Sequence, residues 1–554
     1  MYGVTPGQRA PVQVRRCRPQ PVRIGDTSAA GHAARASDQQ QPRAAPSAAS
    51  SGRTDIQRRR ARRFSLEHFP TGPVPLEHLT AGAGLPAPLC YRGSKREGCA
   101  PCSSPSPGNG MMPKLEGQSQ EWSQGELSCS DAAAISSQPC EAAQIVWDAA
   151  ADLAPTFTQI DQELVARNLR RVQAAMRRAR LGPHHFSGST GYGHGDLGRT
   201  ALDDVMAEVM GAEAAIVRIQ FVSGTHAIST ALFAALRPGD ELLAVAGKPY
   251  DTLEEVIGLR GTAGHGSLRE WGVAYRELPL AESGDIDWEA LASAITPKTK
   301  VASIQRSCGY ALRPTLSIAA IERAVRIIKQ QSPECIVAVD NCYGEFTEDR
   351  EPCAVGADLV MGSLIKSPGG TIVPGGGYIA GRADLVAAAA ARLTAPGVGT
   401  DAGGVSGSTL RLMAQGLFLA PQMVGESLKG GRLVAEVMSR EGYAVAPAGR
   451  VPFPPSFITA VEVGSTARMC AFCRAVQRCS PVGSYIEPIP GVTPGYDDEV
   501  IFGDGTFVDG STAELSADGP LRPPYIVYCQ GGTHWAHWAI ALESIVEDMR
   551  TCSA

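Results

Sequence analysis

A chain of 554 residues is too long for one compact core, and at roughly 100–200 residues per domain it should hold two or three folded units. A hydrophobic share of 44%, a charged share of 19% and a net charge of -5 are those of an ordinary soluble protein and give no bulk attraction to nucleic acid. No apolar run reaches the roughly 18–20 residues that span a bilayer, and the fifteen cysteines, odd in number and irregular in spacing, exclude a disulfide scaffold.

Residues 1–140 read as a disordered extension. Arg, Ser, Ala, Pro and Gln dominate, acids are scarce through Phe69, and the run Arg58-Arg59-Arg60-Ala61-Arg62-Arg63 is strongly basic. Such a composition cannot bury enough apolar surface to offset chain entropy. Rich in Arg and Ser and lacking an apolar signal core, the segment fits a plastid or mitochondrial transit peptide. A solvated tail, or upstream sequence wrongly joined to the gene, fits equally. The basic cluster is read as solvated, not as a nucleic-acid site. A soluble protein of the cytoplasm or an organelle is expected, with no membrane partner. Cys99-Ala-Pro-Cys102 and Cys470-Ala-Phe-Cys473 are far apart and have no nearby His pair, so free thiols are expected and no metal site.

A helical segment is expected over 145–200. Leu164, Val165, Leu169, Val172 and Met176 recur at near-helical spacing within Gln162–Arg178. Over 200–395, short apolar runs alternate with amphipathic helices. Ala215–Val222, Glu241–Ala246, Val301–Gln305, Ile336–Val339 and Leu359–Met361 read as buried strands. Ile318, Ile321, Val325 and Ile328 mark one face of a helix, and Leu385–Leu393 a short amphipathic one. This alternation predicts a mostly parallel sheet covered on both faces. A smaller C-terminal α/β domain is expected over 396–554, with strands near Ile458–Val463 and Tyr525–Cys529.

Ligands of such sheets sit at the carboxyl ends of the strands. After the first strand, Ser223-Gly224-Thr225-His226-Ala227 opens a helix. Its free N–H groups make an anion site suited to phosphate, although a plain strand–helix turn reads the same way. After the second comes Tyr250, either a flat platform or a packed aromatic. After the fourth comes Asp340, a carboxylate at the rim of a buried sheet that needs a cationic partner, be it a pyridinium or an arginine. After the fifth comes Lys366, flanked by Leu364 and Ile365, where an apolar setting would depress its pKa and make it nucleophilic. Each signal alone is weak. Together they are the parts pyridoxal 5'-phosphate (PLP) requires: N–H donors for the phosphate, a stacking ring, an anion for the pyridinium and an amine for the aldehyde.

Val339-Asp340-Asn341-Cys342-Tyr343 and Ser363-Leu364-Ile365-Lys366 resemble the aspartate motif and the Ser-x-x-Lys of the cystathionine and methionine gamma-lyases. Tyr192-Gly193-His194-Gly195-Asp196-Leu197-Gly198-Arg199, Phe221–Ala227, Pro249–Glu255, Gln305–Tyr310, Asp340–Glu345, Gly362–Lys366 and Glu514–Pro520 narrow the resemblance to the methionine gamma-lyase branch also called aluminium resistance proteins. It spans residues 155–545. It implies an α/β fold of the PLP-dependent transferase fold type I, with 200–395 as the PLP-binding large domain.

The resemblance implies Lys366 as the Schiff-base lysine and proton shuttle, Asp340 as the partner of the pyridine nitrogen, Tyr250 as the stacking ring, and Ser223, Gly224, Thr225 and Ser363 as the phosphate cradle. Tyr192 and Arg199 resemble residues given to a neighbouring subunit's phosphate site, which implies a homodimer or homotetramer. The substrate would be a sulfur-containing amino acid cleaved by gamma- or beta-elimination. Other PLP chemistry on this fold, or a non-catalytic protein of metal tolerance, are the alternatives. A substrate carboxylate favours a bidentate arginine, and Arg522 and Arg411 are the candidates. Ser367 stands where Asn is expected, and His194 where an aromatic is. Gly193–Gly198 matches GxGxxG but follows a polar loop, so it is not a dinucleotide fingerprint. Gly375-Gly376-Gly377 reads as a turn or crossing hairpin.

Overall fold

The computed structural model describes residues 140–448 and 453–552, all within one compact unit, Trp122–Ala554. The basic cluster, the first Cys-x-x-Cys pair and the expected transit peptide lie outside the described residues.

Helix α1 (Glu141–Gln159) buries Val146, Ala149, Leu153 and Phe157 along one face. It runs through a π-helical turn, Ile160–Val165, into α2 (Ala166–Arg178). Helical structure thus begins at Glu141, well before the expected Gln162, and alanines rather than large apolar residues carry much of its buried face. Asp196 caps α3 (Leu197–Met210) by accepting from the N–H groups of Gly198 and Arg199, and Gly211 ends it at φ 68°.

The first sheet takes β1 (Ala214–Arg218), α4 (Gly224–Ala235), β2 (Glu241–Ala244), α5 (Asp251–Ile257), β3 (Ala274–Glu277), α6 (Leu291–Ala294), β4 (Thr299–Gln305), α7 (Ile318–Gln331), β5 (Ile336–Asp340), β6 (Leu359–Ser363), β7 (Gly377–Gly381) and α8 (Ala383–Leu393) in chain order. Its seven strands lie in the order β1-β7-β6-β5-β4-β2-β3. Only β7 runs against its neighbours. Ile336 and Ala338 of β5 pack into one core with α4 and α8, while Val337 and Val339 face α7. Both faces are therefore buried, which is why these strands read as unbroken apolar runs.

Strand β7 begins at Gly377, where a turn or crossing hairpin was expected. Five residues with glycine at both ends leave little apolar signal. Glycine is required at that point by close packing: a Cβ on Gly377 would stand 3.0 Å from the Gly362 carbonyl oxygen and 3.1 Å from Ala227 Cβ.

Helix α9 (Gly407–Arg440), 34 residues long, joins the two halves. Met413, Leu417 and Val424 pack under the first sheet, and Leu433, Val434 and Val437 pack under the second. That second sheet is antiparallel throughout, formed by β8 (Ala444–Ala446), β9 (Thr459–Glu462), β10 (Val500–Gly503), β11 (Leu515–Pro520) and β12 (Ile526–Gly531) in the order β10-β11-β12-β9-β8. Helices α10 (Thr466–Arg478) and α11 (Trp535–Thr551) complete its core. Cys470 and Cys473 lie on α10 as free thiols. Among the described residues no helix is long and apolar enough to cross a membrane.

Candidate active site

A cavity of about 330 Å³ opens where the carboxyl ends of β4, β5 and β6 meet the second sheet. Ser223, Gly224, Thr225, Tyr250, Asp340, Ser363 and Lys366 all line it. They come from four strand ends and the turns behind them, those of β1, β2, β5 and β6, so the sheet gathers residues up to 143 positions apart, from Ser223 to Lys366.

Ser223 caps α4, its hydroxyl accepting from the His226 N–H at 3.1 Å. The N–H groups of Gly224 and Thr225 therefore open the first helical turn, where no intrahelical acceptor exists. A Cβ on Gly224 would meet Ser363 Cβ at 3.0 Å, so the turn presses against β6. The Thr225 and Thr252 hydroxyls are 3.0 Å apart.

Asp340 ends β5. One of its carboxylate oxygens accepts from the Cys342 N–H at 3.1 Å. Burial pushes its carboxyl above the ordinary range, and Lys366 pulls against that. The next loop holds Tyr343 at φ 69°, an uncommon left-handed setting for an aromatic. That setting turns its ring under Lys366, whose Nζ stands 4.0 Å from the ring centroid. Burial disfavours the Lys366 ammonium, but Tyr343, Cys342 and Asp340 outweigh it and hold the pKa above the usual lysine value. A depressed value was expected from the apolar neighbours in sequence. The correction follows from the polar groups that the fold brings alongside.

Tyr250 hydrogen-bonds Tyr496 through its hydroxyl, and its ring lies 5.9 Å from that of Tyr310. Tyr310 in turn donates to Asp518 Oδ1 at 2.6 Å. Asp518 also accepts from Ser516 and from Gln530 Nε2, at 3.1 and 2.9 Å for the two oxygens in the latter case. Burial raises its carboxyl to about 6, with the Ser516 and Tyr310 bonds opposing. Tyr343, Tyr310, Tyr496, Asp518 and Gln530 are among the lining residues that sequence reasoning left without a role. The available signal was an acid amid small residues, Ser516-Ala517-Asp518-Gly519, which has no strand-like alternation.

Four candidate residues lie outside the cavity: Arg522 and Arg411, expected at a substrate carboxylate, and Tyr192 and Arg199, whose expected place was a neighbouring subunit's site. Arg199 is buried, and its guanidinium donates to the carbonyls of Gly403 (2.6 Å), Tyr192 (3.4 Å) and Gly193. It ties down the Gly193–Gly198 loop. Tyr192 is 67% exposed and stacks on His194. Arg522 is exposed, paired with Asp498 at 2.9 Å and donating to the Tyr310 carbonyl at 3.1 Å. Its proline-flanked loop turns outward rather than over the cavity. Arg411 is exposed in the first turns of α9. Among the described residues that line the cavity there is no arginine.

A sequence model described as methionine gamma-lyase matches residues 142–550. The chain belongs to the methionine gamma-lyase family. An uncharacterized protein of Bacillus subtilis (strain 168) is 47% identical over 399 residues, which is 72% of this chain and 94% of that one. The solved structure of a carbon-sulfur lyase involved in aluminum resistance from Clostridium novyi NT superposes with a TM-score of 0.70 at 39% identity, covering 74% of this chain and 96% of that one. The L-methionine gamma-lyase of Pseudomonas putida is 31% identical over 186 residues, 34% of this chain and 38% of that protein. The methionine gamma-lyase family is PLP-dependent, and its α/β fold with a mostly parallel sheet is the one found here.

In this methionine gamma-lyase family chain, the floor behind the lysine carries a second buried acid. Glu345 is 0% exposed, accepts from Tyr378 Oη at 2.9 Å, and has its other oxygen unpaired. Burial raises its pKa from 4.5 to about 8. The folded state therefore keeps a proton that the unfolded chain has already released between those values. The contribution is fully present below the unfolded pKa of 4.5 and is lost as pH rises through about 8. Stability should fall across that window with a slope no steeper than about 1.4 kcal/mol per pH unit. Thermal melts from pH 5 to 8 should show this decline, and Glu345→Gln should flatten it. An equal decline in the variant would remove Glu345 as its source.

Proposed function

We propose that the protein is a PLP-dependent carbon–sulfur lyase that cleaves a sulfur-containing amino acid by gamma- or beta-elimination. The convergence of Lys366, Asp340 and the Ser223-capped turn on one cavity carries this reading. The residues fit the cofactor by the chemistry of their donor set. The N–H groups of Gly224 and Thr225, with the hydroxyls of Ser223, Thr225 and Ser363, would hold its phosphate. Asp340 would pair with the protonated ring nitrogen, which gives this buried carboxylate a cationic partner. Tyr250 would lie against the ring.

When bound, the cofactor supplies an electron sink for charge left on the substrate's α carbon. Lys366 would hold it covalently and, once freed by the incoming amine, would take the α proton through Nζ. Tyr343 and the aromatic wall of Tyr250, Tyr310 and Tyr496 line the cavity beside that nitrogen and would exclude water from it. A dimer or tetramer belongs to this reading. Tyr192 is free to reach a second copy, whereas Arg199 is committed to its own loop.

The test is release of keto acid and thiol from methionine, cystathionine and cysteine by the PLP-loaded protein. Gamma-elimination gives 2-oxobutyrate from methionine, and beta-elimination gives pyruvate from cysteine. PLP loading without keto acid from any of the three would overturn the reading.

A further inference from the structure

Lys366 is held from both halves of the chain. Beneath it, the Tyr343 ring centroid lies 4.0 Å from Nζ. That ring is itself set from two sides. Phe457 meets it edge-on at 5.5 Å, and the Thr512 hydroxyl donates to the Tyr343 hydroxyl at 3.1 Å. Next to Thr512, Ser511 is 1% exposed, and its hydroxyl donates at 2.9 Å to the carbonyl of Ile365, the residue before the lysine. Both belong to the loop between β10 and β11 of the second sheet. The loop is tied down by the buried Glu514, whose carboxylate accepts from the N–H groups of Phe507 and Val508 at 2.8 and 2.9 Å. Tyr343, Thr512 and Lys366 all line the cavity.

A π face attracts an ammonium far more than a neutral amine. The contact therefore does little for Lys366 as a free base and favours it once Nζ is protonated. In the proposed reaction the α C–H bond breaks, its electron pair stays with carbon, and the proton goes to Nζ. The positive charge then sits over the ring. Favouring that state over the one before it lowers the barrier between them. Asp340 and Cys342 at the end of β5, Glu345 behind, and Tyr496 and Asp518 from the second half also act on this nitrogen. Together they set its basicity, and the Tyr343 contact adds to theirs.

We propose that Tyr343 and Thr512 are positioning residues for proton transfer at Lys366: the ring receives the ammonium that Nζ becomes, and Thr512, reaching across from the second sheet, holds the ring there. This rests on the cofactor and lysine roles of the proposed function, and not on which bond is cleaved afterwards.

The first measurement needs no substrate. The cofactor-free protein captures PLP when the neutral Lys366 amine adds to the aldehyde and water leaves, so the capture rate against pH follows the fraction of neutral amine. Tyr343→Leu removes support for the ammonium and should move this profile about one pH unit lower. Tyr343→Phe and Thr512→Val remove the same hydrogen bond. Each should give a smaller shift of equal size, and the double variant no further one. The second measurement is exchange of the α proton of L-methionine in deuterated water by the PLP-loaded protein, followed by NMR. Tyr343→Leu should slow it at least about tenfold, with methionine binding within about threefold of the parent and bound-cofactor absorbance retained. A ring that only fills space would weaken binding instead and leave the capture profile in place. Keto acid is assayed in the same samples. Exchange without keto acid means that the lyase reading fails and this one stands. If the unmodified protein shows neither, the capture profile decides. An unmoved profile in Tyr343→Leu overturns the proposal whatever the turnover, and so does unslowed exchange in that variant. Where leucine prevents folding, no shift in Tyr343→Phe and Thr512→Val, or shifts that add in the double variant, overturn it.

Discussion

Lys366→Ala is expected to abolish covalent attachment of PLP and to lower turnover at least about a thousandfold, since one residue would lose both its nucleophilic and its proton-transfer role. Among the described residues no other lysine lines the cavity. Lys248, from the loop that carries Tyr250, is largely exposed and paired with Glu254 at 2.6 Å, so it has no vacancy to take over the task. The variant should still fold. Lys366 Nζ meets the ring of Tyr343, and its removal leaves Asp340 to keep a proton, a form that burial already favours. Lys366→Arg is the matching control: it keeps the charge beside Asp340 and removes the amine, so it should melt nearer the parent than the alanine variant and be as inactive. Borohydride reduction followed by peptide mapping reads the attachment site directly. Label on a peptide without Lys366 would end the assignment.

The legible part of this protein was the part governed by two simple regularities. Strands buried on both faces are near-continuous apolar runs, and residues just beyond such strands share one rim. Those rules were enough to bring Ser223, Tyr250, Asp340 and Lys366 together on paper, and the fold puts all four on one cavity. The rules failed where polar residues enter a strand. Strand β11 is buried at every position yet spells Leu515-Ser516-Ala517-Asp518-Gly519-Pro520, because Ser516 and Asp518 bond each other, Tyr310 and Gln530. Nothing local reveals that, since Tyr310 is 208 residues away. The contacts of the arginines were illegible for a related reason. Whether a guanidinium reaches a ligand or a carbonyl depends on which loop ends face it, and Arg199 found three carbonyls while Arg522 found Asp498.

Arg306 is the arginine that sequence reading passed over, and its loss should be the most damaging to the fold. It is 0% exposed. Its guanidinium donates to the Leu316 carbonyl at 3.2 Å, Asn341 Oδ1 at 2.8 Å, the Gly344 carbonyl at 2.7 Å, Thr347 Oγ1 at 3.3 Å and Glu348 at 2.6 Å. Its own N–H donates to the Asp340 carbonyl at 3.0 Å. The residue thus clamps the whole loop after β5, the loop that holds Tyr343 in its left-handed setting beneath Lys366. Glu351, also fully buried on its side chain, lies 3.8 Å away and is bonded to Asn341 and to Arg171 of α2. Arg306→Met fills most of the volume but strands these acceptors and leaves Glu348 and Glu351 short of positive charge. Breaking a buried pair from one side costs about 3–5 kcal/mol. The melting temperature should drop by roughly 5–10 °C, and PLP should be retained less firmly because Asp340 and Tyr343 lose their support. Arg306→Lys restores the charge but not the planar fork, so it should fall between the two. A methionine variant melting within about 2 °C of the parent would show that the loop holds itself, and that the clamp is not what sets Tyr343 under the lysine.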